Sequence, residues 1–189
     1  MKKKDDTLRE TLLNTARALA EEEGLQKLNI RSIAKKAGVA SGTVYNYFSG
    51  KDEILLALTK EYWKQALLEM DDAIITDSFC EALPEMYKYL KQTIRQAAGA
   101  FMNSLNGVQQ KGQESMASAQ QELKAILLRR LRQDPHLSDH VWNEEFTEES
   151  FAEFVRMNLI GLLKAEETQM EFFMAVIRRI LYPDLDVKK

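Results

Sequence analysis

Four polar or small residues near the start of the chain have the types and spacing to contact nucleic-acid bases and phosphates. They lie within residues 41–48, where Val44 and Phe48 are four residues apart and would share the inner face of a short helix. The opposite face would then present Gly42, Thr43, Tyr45 and Asn46. An asparagine can pair bidentately with an adenine edge, and a threonine methyl can touch a thymine methyl. Because this face carries no carboxylate, it can enter the major groove without repelling phosphates, and its glycine lets backbone N–H groups come close to one.

Other residues with chemical potential give weaker signals. His136 and His140 have a spacing that suits a metal on a helix face, but Pro135 places the first at a break and the chain has no third histidine. Cys80 is the single cysteine, and no adjacent base activates it, so we expect a packed thiol. The sequence contains no activated serine, phosphate-binding glycine loop or metal-ligand cluster. We therefore predict a protein that is not an enzyme and has no cofactor and no metal.

The polar face needs a helix-turn-helix to position it, and residues 30–51 carry that pattern. Ala34 is the small residue that two steeply crossing helices need where they approach, and Gly38 accepts the positive φ of a tight turn. A small core would be completed by Ile33, Ala37, Val39, Val44 and Phe48. The second helix is too short to be stable by propensity, so these apolar residues must hold it and leave its other face outward.

Helix signals continue along the chain, and no convincing strand pattern interrupts them. N-cap signals occur at Thr7, Asn29, Ser41, Ser49, Thr147 and Thr168. Stop signals occur at Gly24, at Gly38, before Pro135 and before Pro183. Eight glycines and three prolines in 189 residues are too few for the turns of a many-stranded fold. The sequence therefore predicts an all-α protein, with an N-terminal three-helix helix-turn-helix head and a C-terminal domain of antiparallel helices.

Charge is distributed unevenly between the two predicted domains, residues 1–50 and residues 51–189. Residues 1–51 contain ten Lys or Arg and six Asp or Glu, giving +4, whereas the whole chain carries −3. A basic head on an acidic body suits a protein that touches a polyanion with one end. The start of the chain lacks the apolar segment of a secretory signal, and no apolar run approaches the roughly 18 residues of a membrane span. We therefore expect a cytoplasmic protein without membrane contact.

The stretch between Ile33 and Leu55 resembles the signature of the TetR family of transcriptional repressors. The resemblance rests on Ile33-Ala34, on the run Ala37-Gly-Val-Ala-Ser-Gly-Thr-Val-Tyr-Asn-Tyr-Phe48 and on Lys51-Asp-Glu-Ile-Leu55. It covers roughly residues 7–58, and the preceding helix that ends at Gly24 also fits. One departure is Asn29, where the family commonly has threonine, although asparagine caps a helix as well.

The resemblance implies roles for individual residues of the head. Tyr45, Tyr47 and Lys51 fall where the family contacts phosphates, and four further positions are those that often reach base edges or phosphates. Together with the small Gly42, the predicted DNA-binding residues are Arg31, Ser41, Gly42, Thr43, Tyr45, Asn46, Tyr47 and Lys51.

The C-terminal domain is predicted to bind a ligand and to form a dimer. Methionine and aromatic side chains at helical spacing can line a cavity or fill a solid core. The candidate ligand-binding residues are Trp63, Met86, Phe101, Met102, Leu105, Met116, Trp142 and Met157. The last two long helices carry more apolar surface than one buried face needs, which predicts a four-helix interface between two copies. The candidate interface residues are Phe151, Phe154, Val155, Leu159, Leu162, Phe173, Val176, Ile177 and Ile180.

These features favour a transcriptional regulator that binds double-stranded DNA as a homodimer. The leading hypothesis is a repressor that a small, largely apolar effector releases from a palindromic operator. One rival is an enzyme in which the helix-turn-helix is incidental, which would need convergent catalytic groups that the sequence does not show. The other is a DNA-binding adaptor or activator whose partner is another protein. Repression and activation stay open, because they depend on where the operator lies relative to a promoter.

Overall fold

Eight α-helices form the regular structure of the computed structural model, which describes residues 6–25, 27–97, 109–137, 139–164 and 169–183. In chain order they are α1 (Asp6–Glu23), α2 (Ile30–Ala37), α3 (Ser41–Tyr45), α4 (Lys51–Ala73), α5 (Phe79–Ala97), α6 (Gln109–Gln133), α7 (Glu148–Lys164) and α8 (Met170–Leu181). A short 3-10 helix, Asp139–Val141, precedes α7. These described residues contain no strand, so the predicted all-α fold is confirmed. None of the described helices is both long and apolar enough to cross a bilayer.

The described residues divide into two compact units. The first comprises those up to Gln65 and those within 95–118, and the second comprises residues 66–94 and the described residues from 119 onward. The division falls inside α4, so this helix contributes to both units. The domain boundary predicted from the sequence lies after residue 50, between the helix-turn-helix and the rest of the chain. This boundary remains a prediction.

The core of the first unit holds the helix-turn-helix between α1 and the start of α4. Its buried side chains are Leu12, Leu13, Ala16, Leu19, Leu28, Ile30, Ile33, Ala34, Val44, Phe48, Ile54, Leu55 and Leu58. In α1 and α4 these positions recur at three- and four-residue intervals, as in a helix that buries one face. Because α2 and α3 are too short to be stable alone, this packing stabilises them.

The C-terminal end of α1 and both ends of α2 follow the sequence signals, whereas the predicted N-cap Thr7 is wrong because α1 already includes Asp6. Gly24 and Gly38 both adopt positive φ, +84° and +69°, immediately after the helices that they end. Asn29 Oδ1 accepts a hydrogen bond from Ser32 N at 2.9 Å, and Ser32 Oγ accepts one from Asn29 N at 3.2 Å. This capping box confirms Asn29 as the N-cap of α2.

The bounds of α3 differ from the prediction at both ends. Its N-cap is Ala40, which has no side-chain oxygen, so Ser41 is the first helical residue and not the cap. The helix ends at Tyr45, and in the turn that follows both Tyr47 N and Phe48 N bond to Val44 O at 3.0 Å. The segment that positions the polar face is therefore a five-residue helix followed by a turn.

The structure confirms the predicted N-cap of α7 but does not describe that of α8. Thr147 Oγ1 accepts a hydrogen bond from Ser150 N at 3.1 Å, which confirms this threonine as the cap of α7. α8 begins at Met170 with Gln169 at its N-cap position, and no side chain caps it there. The predicted cap, Thr168, lies outside the described residues.

Asp134 joins three segments of the second unit. It is 6% exposed, and its carboxylate accepts hydrogen bonds from Phe79 N at 2.7 Å and from His136 N at 2.8 Å. The Tyr182 hydroxyl donates to the same carboxylate. Burial, together with this bond to Asp134, raises the pKa of Tyr182, so the hydroxyl stays protonated and remains a donor. A buried carboxylate needs such donors, and here they tie the start of α5 to the ends of α6 and α8.

Candidate nucleic-acid interface

The turn between α2 and α3 fixes the direction in which α3 leaves α2. Gly38 adopts the left-handed conformation with φ +69° and ψ +29°. Val39 N bonds to Ala34 O at 3.0 Å, and Gly38 N bonds to Lys35 O at 3.3 Å. These two bonds form a Schellman motif, which satisfies the last carbonyls of α2. A side chain at position 38 would be strained, so the geometry of this turn requires glycine.

α3 is anchored by one face and exposes the other. Val44 is 0% exposed and Phe48 is 1% exposed, so both side chains belong to the core. On the opposite face Tyr45 is 57% exposed, and Gly42 and Asn46 are also exposed. The structure therefore places these five residues on the faces that the sequence predicts for them.

Three other predicted contact residues are less accessible than Tyr45. Ser41 and Thr43 are half-buried, and the half-buried Tyr47 packs against the core of the first unit. Arg31 is exposed on α2. The roles of all these residues towards DNA stay predictions.

Gly42 has open space around it. A Cβ built at this position would meet nothing within 4 Å, and no positive φ forces glycine there. A glycine in a helix is less stable than alanine by roughly 0.5–1 kcal/mol. The fold of the chain therefore does not require glycine at position 42, which is the pattern expected where a backbone must approach a partner closely.

The cations of α2 differ in whether a carboxylate neutralises them. Lys36 forms an ion pair with Glu22 of α1. Arg31 and Lys35 are exposed one helical turn apart, and neither has an ion-pair partner in the part of the chain that the structure describes. Arg31 and Lys35 are therefore the residues of α2 whose positive charge can act on a polyanion.

Lys51, the first residue of α4, has a structural partner that the sequence did not reveal. Its ammonium donates a hydrogen bond to Leu25 O at 2.9 Å and is partly buried. Nearby, Glu53 Oε2 accepts a hydrogen bond from Ser49 N at 2.7 Å, which caps the start of the same helix. Lys51 thus ties the start of α4 to the loop after α1, and its predicted phosphate contact stays a prediction.

Five of the predicted ligand-binding residues are described, and they lie in different environments. Met86 is 0% exposed within the solid core of the second unit, whereas Met116 and Met157 are 43% and 60% exposed. Trp142 stacks on Phe146 with ring centroids 5.6 Å apart. The fifth, the half-buried Trp63, belongs to the first unit. Helical spacing selected these residues, but spacing does not distinguish a cavity wall from a packed core or an exposed face.

The other three candidates and the described cavity lie elsewhere. Phe101, Met102 and Leu105 lie outside the described residues. A cavity of about 270 Å³ in the second unit is lined by residues 74–79 together with Asp71, Arg129, Arg130 and Gln133. None of the predicted ligand-binding residues lines this cavity, and its charged walls differ from the apolar site that was predicted.

The predicted dimer residues separate into a buried and an accessible group. Five of them belong to the core of a single chain: Phe151, Val155, Leu159, Phe173 and Ile177. The chain's own helices already cover these side chains, so they contribute to the core of a single chain. The accessible group consists of Phe154, which is 42% exposed, and the half-buried Leu162, Val176 and Ile180. Sequence analysis missed Phe172, which is 71% exposed on α8.

Cys80 is a packed residue, as predicted. It is 6% exposed, and burial raises the pKa of its thiol to about 11, although the nearby Arg178 acts in the opposite direction. A protonated thiol is a poor nucleophile and a poor metal ligand. Within the described ranges, no three His, Cys, Asp or Glu side chains are placed to hold a metal ion.

Comparison with known proteins gives a match over the head. Residues 12–58 match the sequence model described as "Bacterial regulatory proteins, tetR family". The chain is 38% identical over 63 residues to the fatty acid metabolism regulator protein of Bacillus subtilis, which is 33% of this chain and 32% of that protein. It is 35% identical over 66 residues to the transcriptional regulator BetI 2 of Chromohalobacter salexigens, covering 35% and 30% of the two chains. These matches span about a third of the relatives' lengths.

Two solved structures share the fold over most of the chain. One is FadR of Thermus thermophilus, a TetR-family transcriptional repressor in complex with lauroyl-CoA, with a TM-score of 0.55 and 19% identity over 92% of this chain and 84% of that one. The other is a TetR/AcrR-family regulator of Thermobifida fusca, with a TM-score of 0.53 and 18% identity over 94% and 98%. At this identity they show the fold alone, a helix-turn-helix head followed by a helical domain.

The space around Gly42 leads to a prediction for Gly42→Ala. We expect the variant to fold with equal or greater stability, because alanine favours a helix and nothing in the chain opposes its methyl group. Affinity for duplex DNA should fall, because the methyl group occupies the space between α3 and the groove. Thermal melting and fluorescence titration with a labelled duplex measure the two effects. Unchanged DNA affinity would contradict a close approach at this position.

Proposed function

We propose that the chain is a TetR-family protein and that it acts as a sequence-specific DNA-binding transcriptional regulator. The finer proposal is a homodimeric repressor that a small, largely apolar effector releases from a palindromic operator. In each copy, α3 would enter the major groove and read base edges through its exposed face.

The observation that supports this proposal is the division of α3 into two faces. Val44 and Phe48 are buried, so α3 is held rigidly, while Gly42, Tyr45 and Asn46 are exposed. The exposed face contains no carboxylate, and α2, the preceding helix, exposes two cations without an ion-pair partner among the described residues, Arg31 and Lys35. Phosphate contacts from such cations position a protein on DNA, and side chains of the inserted helix read the sequence.

Dimer formation is proposed through α7 and α8, on a smaller surface than the sequence analysis suggested. Phe154 and Met157 are 42% and 60% exposed on α7, and Phe172 is 71% exposed on α8. The two helices are in contact through Phe154 and Phe173, whose ring centroids are 6.3 Å apart. Large apolar side chains exposed on one pair of packed helices are typical of an interaction surface. A second copy would cover them and place two heads on the two halves of a palindrome.

The effector is proposed to bind in the helical domain within residues 79–165. The head is too small to hold a cavity besides its own core, whereas α5, α6 and α7 all contribute buried apolar side chains to the larger core of the second unit. The charged walls of the described cavity suit a polar group better than an apolar one. For this reason lauroyl-CoA, the ligand of the Thermus thermophilus protein, is a suitable first probe, since it carries both an apolar chain and a polar group.

Selection of bound sequences from random duplex DNA tests the central proposal. We expect an enriched palindrome, and we expect Asn46→Ala to lose discrimination at one base pair per half-site by roughly 5- to 150-fold, because a bidentate contact supplies about 1–3 kcal/mol. A scrambled duplex is the control, and the variant should bind it as the wild type does. Selection without enrichment of any sequence would contradict sequence-specific binding.

A charge placed on the α7 surface tests the proposed dimer. We expect wild-type protein to scatter light as a dimer at micromolar concentration, and the double variant Phe154→Glu/Met157→Glu to have the 21.7 kDa mass of one chain. Two carboxylates on each copy would be buried against two others, which is strongly unfavourable. The matched control is Ile75→Glu, since Ile75 is 95% exposed on the loop between α4 and α5. A wild-type monomer, or a double variant that remains dimeric, would show the interface to be elsewhere.

Linkage between the two ligands tests control by an effector. Lauroyl-CoA is titrated calorimetrically into the protein, once alone and once in the presence of saturating selected duplex. We expect the duplex to reduce lauroyl-CoA affinity by roughly 5- to 150-fold, the range of a typical coupling free energy. Equal affinities would mean that the compound fills a site without regulating the protein. Absence of binding would exclude this acyl class and favour a protein partner as the regulator.

A further inference from the structure

We propose that Arg9 of α1 is an additional phosphate-contacting residue, a guanidinium held in position for the DNA backbone by the ring of Phe48. This inference rests on the proposed DNA-binding function and adds a contact from a helix outside the helix-turn-helix. The ligand is a phosphate of duplex DNA, and the contact contributes to affinity on every sequence rather than to base discrimination.

The geometry of the Arg9 side chain supports this role. Its Cζ lies 5.2 Å from the centroid of the Phe48 ring, within the range of a cation–π contact. Phe48 is 1% exposed and therefore fixed in the core, whereas Arg9 is exposed. A cation–π contact uses the positive charge of the guanidinium and none of its N–H donors as hydrogen-bond partners, so those donors can still meet a phosphate. The ring thus limits the freedom of a long side chain without using its hydrogen-bond donors.

The charge of Arg9 also remains available, in contrast to that of the other arginine of α1. Arg17 forms an ion pair with Glu61 of α4. Arg9 has no carboxylate partner among the described residues, where its guanidinium contacts the Phe48 ring. An unpaired guanidinium can neutralise a phosphate and release its counterion, whereas a paired one has already lost most of that effect.

The location of Arg9 places this charge beside the proposed reading segment. Phe48 ends the turn that follows α3, and its neighbour Tyr47 is a predicted phosphate contact. The Arg9 guanidinium therefore lies against the residue next to Tyr47, and exposed Tyr45 and Asn46 come from the same turn of chain. A backbone that passes Tyr47 would come within the reach of Arg9.

The test compares Arg9→Met with Arg17→Met in full-length protein. Methionine keeps an unbranched apolar stem over the Phe48 ring and removes the charge, and both variants change the net charge by the same amount. Affinity for the selected duplex and for a scrambled duplex is measured over a series of salt concentrations. For Arg9→Met we expect affinity to fall by roughly 2- to 5-fold on both duplexes, and the slope of log affinity against log salt to flatten by about 0.9. For Arg17→Met we expect neither change.

Each outcome separates this inference from its alternatives. An unchanged salt slope for Arg9→Met would overturn the inference, even if the affinity falls. Thermal melting would show whether such a fall comes from lower stability of the head. An equal loss for Arg17→Met would also overturn it, since the effect would then come from net charge alone. If the wild type binds no duplex selectively, the proposed function is wrong, and this inference is tested separately. The two variants are then compared by the slope of log affinity against log salt on the scrambled duplex.

Discussion

The burial of Val44 and Phe48 is the constraint on which the head depends. A helix of five residues has almost no stability of its own, so α3 exists because these two side chains enter a core built by α1, α2 and the start of α4. With one face fixed, the opposite face is exposed in a defined orientation. Gly38 adds the second requirement, because its left-handed backbone sets the angle between α2 and α3. The proposed readout of DNA thus follows from two anchors and one turn.

Local signals in the sequence predicted most of the head. Glycines at the ends of α1 and α2, the Asn29 cap and the inward positions of α3 all act within a few residues, and each of these predictions is confirmed. Contacts between distant residues could not be predicted in this way. The Lys51 ammonium meets Leu25 O, and Arg17 meets Glu61, only after the helices have packed. No rule of sequence spacing predicts such pairs, so the sequence analysis missed the hydrogen bond from Lys51 to Leu25 O.

The C-terminal helices show a second limit of sequence patterns. α7 carries apolar residues on more than one face, so its periodicity indicates a helix without showing which face meets the core. Packing resolves this: Val155 and Leu159 are 0% exposed, whereas Phe154 and Met157 remain accessible. The predicted interface therefore combined core residues with surface residues. The distinction depends on where α8 lies against α7, which is information that neither helix carries alone.

Hydrogen bonds anchor α4 at both of its ends. At its start, Lys51 is bonded to Leu25 in the first unit. Near its end, Asp71 is bonded to Arg130 of α6 in the second unit, at 2.7 Å between Asp71 Oδ1 and Arg130 Nε, and the same guanidinium also holds Ile74 O at 2.9 Å. Each end of α4 is therefore anchored within its own unit, the start by Lys51 to the loop after α1 and the end by Arg130 to α6.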